Sequence, residues 1–224
     1  MRLLLFMQKN KTAYFITGTD TDVGKTYIAG ALLRHFVQQG LQTVGMKPVA
    51  AGAEMVNGRL LNSDVAELIK AGNVDADLAL INPYVFAPAI APHIASEQAG
   101  VKVSIDNIQQ AFDALKTQAE MLVVEGAGGF RVPINHQETM ADLAVKLNLP
   151  IILVVGVRLG CINHALMTAG SIRAAGLTLV GWVANRIDPD MLAIEENIAT
   201  LKAMIKAPCI ADVAWGEEPQ FIDF

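Results

Sequence analysis

The 224-residue chain is 53% hydrophobic but only 17% charged, with a net charge of −5 at pH 7. That is enough apolar material for one α/β domain whose strands are covered on both faces, and an acidic chain with no basic stripe argues against a nucleic-acid partner. No run approaches the ~18 apolar residues of a membrane span, so no membrane partner is expected and the location read from the sequence is cytoplasmic. The two cysteines, Cys161 and Cys209, are far apart and lack metal-binding spacing, which reads as reduced thiols.

In chain order, Arg2 and the apolar Leu3 to Met7 resemble the start of a signal peptide. That run is shorter than the ~7–15 residues such a segment needs, and no small-residue cleavage site follows. Residues 1–11 are therefore expected to be a ragged extension, with Met7 an alternative start. The run Ala13 to Ile16 predicts a strand that breaks at Gly18 and leads through Thr19-Asp20-Thr21-Asp22-Val23 to Gly24-Lys25-Thr26. Ile28, Leu32 and Phe36 then share one helical face. Strand, flexible loop and helix form the setting of a phosphate-binding P-loop, although five residues rather than the usual four separate Gly18 from Gly24. In such a loop the backbone N–H groups and the helix dipole hold phosphate, the lysine reaches the terminal phosphates and the threonine hydroxyl reaches Mg²⁺.

Gly40 is expected to end that helix. Thr43 to Met46 predicts a second strand stopped by Pro48, which leaves Lys47 at its carboxyl end. A Gly- and Asn-containing loop follows, and Asn62-Ser63-Asp64 opens a helix through Ile69. Residues 72–95, with Pro83, Pro88 and Pro92 around Tyr84-Val85-Phe86, read as a short strand or loop lying over something. Ser104 caps a helix carrying Ile108, Phe112 and Leu115. Met121 to Val124 is an apolar strand closed by Glu125-Gly126-Ala127-Gly128-Gly129, and Thr139 begins another helix. The remaining alternation is strand Ile151 to Val157, helix Ile162 to Ala175, strand Leu179 to Ala184 ending at Asn185, helix Asp190 to Ile205, and strand Ile210 to Val213. The pattern predicts a single-domain, P-loop NTPase-like α/β fold over residues 1–224. Its sheet should be mostly parallel and doubly wound, with helices on both faces.

Ligands of such sheets bind beyond the carboxyl ends of the strands. Thr26, Asp64 and Glu125 offer a hydroxyl and two carboxylates there, the hard oxygens that Mg²⁺ takes beside phosphate. Both carboxylates are expected at a solvent-facing rim. Each residue also has a plainer reading: Lys47 a surface lysine, Glu125 a capping carboxylate, Asp64 a helix-dipole partner. Lys47 has no partner in the nucleotide site so drawn, which leaves it free to face a second anionic reactant.

Six stretches together resemble the dethiobiotin synthetase family, in that family's order over roughly residues 12–215. They are Gly18 to Thr26, Lys47-Pro48-Val49-Ala50, Asn62-Ser63-Asp64, Val124 to Gly129, Gly160-Cys161-Ile162-Asn163-His164-Ala165 and Gly181-Trp182-Val183-Ala184-Asn185. The resemblance implies an ATP- and Mg²⁺-dependent carbon–nitrogen ligase of biotin biosynthesis. CO₂ and an amine of 7,8-diaminononanoate form a carbamate, whose oxygen attacks the γ-phosphate of ATP; the other amine then closes the ureido ring with loss of phosphate. It further implies that Lys25 and Lys47 stabilise the charges that develop, and that Asp22, Val23, Gly24, Lys25, Thr26 and Tyr27 wrap the phosphates, with Gly126, Ala127 and Gly128 beside them. Thr26, Asp64 and Glu125 would hold Mg²⁺, while Asn185, Arg186 and Ala214-Trp215-Gly216 would face the adenine. Thr21, Lys47, Ala51 and Gly160-Cys161-Ile162-Asn163 fall to the diamine, the last group near the interface of an expected homodimer.

Two departures stand out. Ala51 occupies the place of a serine that touches substrate in the family, and Asn185-Arg186-Ile187-Asp188 resembles the signature by which GTPases select guanine. Two other readings remain open. One is a P-loop switch ATPase of the partitioning or cell-division type, whose loop would carry a second lysine where Thr19 or Asp20 stands. The other is a related ligase acting on a different diamine or acid.

Overall fold

The computed structural model describes residues 12–222, so the extension expected over residues 1–11 lies outside them. Six strands make one sheet: β1 (Thr12–Gly18), β2 (Thr43–Met46), β7 (Met121–Gly129), β8 (Ile151–Gly156), β9 (Leu179–Asn185) and β10 (Cys209–Val213). Their spatial order is β10-β9-β8-β1-β7-β2, and every neighbouring pair runs parallel. The chain leaves β1 on one side toward β2 and β7 and later returns on the other to β8, so the order reverses at β1. A crevice opens beyond the strand ends at that switch point.

Alternation along these strands feeds two cores. Tyr14, Ile16, Val123, Ile152 and Val154 point to one face, where they meet Ile28, Leu32, Leu33 and Phe36 of α1 (Lys25–Gln38) and Leu68 of α2 (Ser63–Ala71). Phe15, Leu122, Val124, Leu153 and Val155 point to the other. There they pack with α5 (Ile105–Gln118), α6 (Met140–Leu147), α7 (Cys161–Ala174) and α8 (Ile194–Met204). Strands buried on both faces explain the continuous apolar runs in the sequence.

The caps at Asn62, Ser104 and Thr139 are in place, each side chain accepting a hydrogen bond from a backbone N–H in the first helical turn. Three expectations are corrected. Strand β7 continues past Val124 to Gly129, because a register shift lets Gly129 pair with Gly18 of β1. The helix expected from Asp190 starts only at Ile194, after a turn through Asp188 and a left-handed Ala193. The stretch read as a loop after Lys47 holds three short strands, β3 (Val49–Ala51), β4 (Glu54–Val56) and β5 (Arg59–Leu61). The irregular region 72–95 contains α3 (Leu78–Ile81) and β6 (Tyr84–Phe86) and opens α4 (Pro92–Gln98). Strand β6 pairs with β3, so this region does lie over the strand ends, as a flap beside Lys47.

Candidate active site

The N-terminus of α1 carries no side-chain cap, which leaves its first N–H groups for an anion. Gly24 before it is left-handed, with φ of 86°, and an added Cβ would fall 2.2 Å from the Asn185 side-chain nitrogen. That nitrogen donates to the Val23 carbonyl at 2.9 Å, so Asn185, at the end of β9, buttresses the loop from below. Lys25 Nζ donates to the loop's own Asp20 carbonyl at 2.8 Å. Burial first and the nearby Lys47 second lower the Lys25 pKa to about 8, against the opposing pull of Glu125, Asp64 and Asp22.

Behind the loop lies a charge cluster. Lys47 Nζ donates to Asp64 Oδ2 at 2.8 Å and to Glu125 Oε1 at 2.5 Å, and Thr26 Oγ1 donates to the same Glu125 oxygen at 2.8 Å. Burial works against the Lys47 charge, yet Glu125 and Asp64 outweigh it and raise the ammonium's pKa. Burial likewise pushes the Asp64 carboxyl up, and Lys47 with Thr26 pulls it net below the usual carboxylate range. Asn82 fixes the lysine's backbone by donating to the Lys47 carbonyl at 2.6 Å.

Two expectations change here. Lys47 is not unpaired, since both candidate metal carboxylates hold it. Glu125 does not stand at a solvent-facing rim: it is fully buried at the middle of β7, whereas Asp64 is partly open. The second Glu125 oxygen, Oε2, is buried with no hydrogen-bond partner. A buried carboxylate oxygen without a donor, next to a hydroxyl and a second carboxylate, suits a hard divalent cation. Among the described residues no cluster of three or more His, Cys, Asp or Glu side chains offers a metal site on its own. The Thr26 hydroxyl and a phosphate would have to complete this one.

A cavity of about 880 Å³ opens over the cluster. Thr21, Asp22, Gly24, Lys25, Thr26, Lys47, Ala51, Asp64, Glu125, Ala127 and Gly128 are among the residues that line it. Sequence reasoning missed its far wall, Ala89-Ile90-Ala91-Pro92 with Val132. The prolines of residues 83–92 were the one signal for it.

Other expected site residues lie elsewhere. The Gly126 backbone packs against Phe15. The Arg186 guanidinium is spent on Asp212 at 2.8 and 2.9 Å and on Glu195 at 2.6 Å. Asp188, the guanine-like carboxylate, accepts from the Asp190 N–H at 3.2 Å within the turn that delays α8. Tyr27 sends its hydroxyl to the Glu217 carbonyl and does not line the cavity. Gly160 to Asn163 form the start of α7, outside the cavity wall, next to the 90% exposed Leu159.

A family model described as an AAA domain matches residues 12–219. The "ATP-dependent dethiobiotin synthetase BioD" of Aromatoleum aromaticum is 51% identical over 201 residues, covering 90% of this chain and 89% of that protein. The chain belongs to the dethiobiotin synthetase family. Proteins of the same name from Pseudomonas aeruginosa strain UCBPP-PA14 and Pseudoalteromonas translucida are 48% and 43% identical, each with 92% of this chain and 91% of theirs aligned. Solved structures share the fold at far lower identity. The MinC:MinD cell division complex of Aquifex aeolicus aligns at TM-score 0.53 and 16% identity, over 90% of this chain and 80% of that one. The signal recognition particle 54 kDa protein of Aeropyrum pernix aligns at 0.56 and 15%, over 96% and 44%. In this dethiobiotin synthetase family member, Ala51, where the resemblance implies a serine, puts a methyl on the cavity wall. The neighbouring Gly52 N–H is no replacement donor, being spent on the Pro88 carbonyl at 3.0 Å.

Proposed function

We propose that this protein is an ATP-dependent dethiobiotin synthetase that closes the ureido ring of dethiobiotin from 7,8-diaminononanoate and CO₂. The observation that carries this reading is the single cavity in which the P-loop, Lys47 and the Asp64–Glu125 pair meet an apolar wall. Such a pocket has room for a second reactant beside a triphosphate. Thr26, Asp64 and Glu125 would hold Mg²⁺, which would supply neutralising charge on the terminal phosphates.

This chain's own residues do the rest. The start of α1 and the P-loop amides seat the phosphates; Lys25 leaves the Asp20 carbonyl for the terminal phosphate oxygens. Lys47 stabilises the carbamate as its oxygen attacks the γ-phosphorus and ADP departs. The second amine then attacks the carbamoyl carbon, and phosphate leaves as the ring closes. Positioning and charge neutralisation suffice for such a transfer. Thr21 and Ala51 flank the diamine. The start of α7 in a second copy reaches its far end, in a homodimer where the exposed Leu159 finds cover.

Among the described residues no helix is long and apolar enough to cross a membrane; the proposed location is cytoplasmic. The likeness to a cell division protein complex is one of fold alone, and Thr19 or Asp20 stands where a switch ATPase would carry its second lysine. Phosphate release with ATP, Mg²⁺ and bicarbonate, measured with and without the diamine, separates the readings. Release is expected near background until 7,8-diaminononanoate is added, and vigorous release without it would favour a switch ATPase.

A further inference from the structure

Residues 214–222 belong to no helix or strand, yet α1 holds them in place. The Tyr27 hydroxyl donates to the Glu217 carbonyl at 2.6 Å. Arg34 pairs with Glu218 at 3.0 Å, and the His35 ring stands edge-on to Phe221 with centroids 5.6 Å apart. Positions 27, 34 and 35 are seven and eight residues apart and so share one helical face. The strap they hold begins with Ala214-Trp215-Gly216, closed into a turn by the Glu217 N–H on the Ala214 carbonyl at 3.1 Å. Trp215 is 64% exposed.

These three ties differ in reach. The Arg34–Glu218 pair is open to solvent on both sides, where ion pairs hold little. The Phe221 contact lies four residues beyond the turn. Only Tyr27 grips the turn itself, and it sits one residue after Thr26 and two after Lys25, the side chains aimed at the phosphates.

We infer that Tyr27 is a positioning residue for the nucleotide base. Its hydroxyl sets the distance between the Trp215 turn and the phosphate-binding start of α1, so one helical turn spaces both ends of the same ATP. The inference rests on the proposed reading that the 214–216 strip faces adenine. It gives the Tyr27 side chain a role other than the phosphate wrapping that the resemblance implies for Tyr27.

The test compares ATP with inorganic tripolyphosphate, which has phosphates but no base, as ligands of Tyr27→Phe, Trp215→Ala and the unaltered protein by calorimetry. Tyr27→Phe keeps the ring and removes one neutral hydrogen bond. It is expected to weaken ATP binding about two- to ten-fold and to leave tripolyphosphate binding as it was. Equal losses for both ligands would assign Tyr27 to the phosphate end and overturn the inference, as would no loss for either. Trp215→Ala keeps the two failures apart. If it weakens ATP while Tyr27→Phe does not, the positioning role alone falls. If it binds ATP as the unaltered protein does, the strip does not face the base, and both readings fall.

Discussion

Lys25 is held at 2.8 Å by the Asp20 carbonyl, a neutral acceptor that a phosphate oxygen must displace. Its pKa of about 8, set by burial and by Lys47, makes that exchange sensitive to pH. The lysine carries its charge below pH 8 and loses it as pH rises through 8, while an anionic phosphate beside it pulls the pKa back up. ATP affinity should therefore fall above pH 8, by at most about tenfold per pH unit. Binding at pH 8.5 should also take up a proton. Calorimetry in two buffers of different ionisation heat measures that uptake, and a proton count of zero would show that Lys25 is already charged in the free protein. At this scale much was legible in the sequence. Thr26, Asp64 and Glu125 could be placed together because a parallel sheet collects its strand ends; Lys47 joins Asp64 to Glu125, and Thr26 reaches the same Glu125 oxygen. Their partners were not legible: nothing in the residue order tells that Lys47 reaches both carboxylates, or that Glu125 is completely buried.

Elements long enough to show a period were readable, and the short ones were not. Strands β3 to β6 have three residues apiece, too few for alternation to register, and they escaped notice except for Tyr84-Val85-Phe86. Asn57-Gly58 between β4 and β5, both left-handed, is a strong hairpin signal, but its three-residue flanks are too brief to read as strands. Packing between elements poses a different constraint at Gly45 in β2. A Cβ there would meet Leu68 Cβ of α2 at 2.8 Å and Leu33 Cδ1 of α1 at 2.9 Å. The Leu33 methyl can swing aside, but Leu68 Cβ moves only with its helix, and α2 is the helix that carries Asp64. Gly45→Ala should cost about 1–3 kcal/mol by overpacking. Urea unfolding should show a lower midpoint with an unchanged slope, and the Mg²⁺ concentration for half-maximal activity should rise as α2 shifts. An unaltered midpoint would mean that β2 and its two helices yield without strain.

The architecture was the most legible level, because apolar strands alternating with amphipathic helices leave few arrangements besides a doubly wound parallel sheet. The strand order was not, since periodicity carries no information on which strand lies beside which. That order has a consequence for the protein's synthesis. Strand β1 leaves the ribosome early, but its two neighbours are β7 and β8, and Thr12 pairs with Met121, more than a hundred positions later. At ~5–20 residues per second, the apolar face of the P-loop strand waits about 5 to 20 seconds for a partner. Nested fragments make this measurable. A chain ending at residue 118 should be digested throughout by protease, whereas one reaching residue 176, with β7 and β8 complete, should retain a resistant core. A resistant core already present at 118 would mean that the amino-terminal half folds without its sheet. Until the later strands emerge, the strand that leads into the P-loop is an unpaired apolar edge, open to association with other exposed strands.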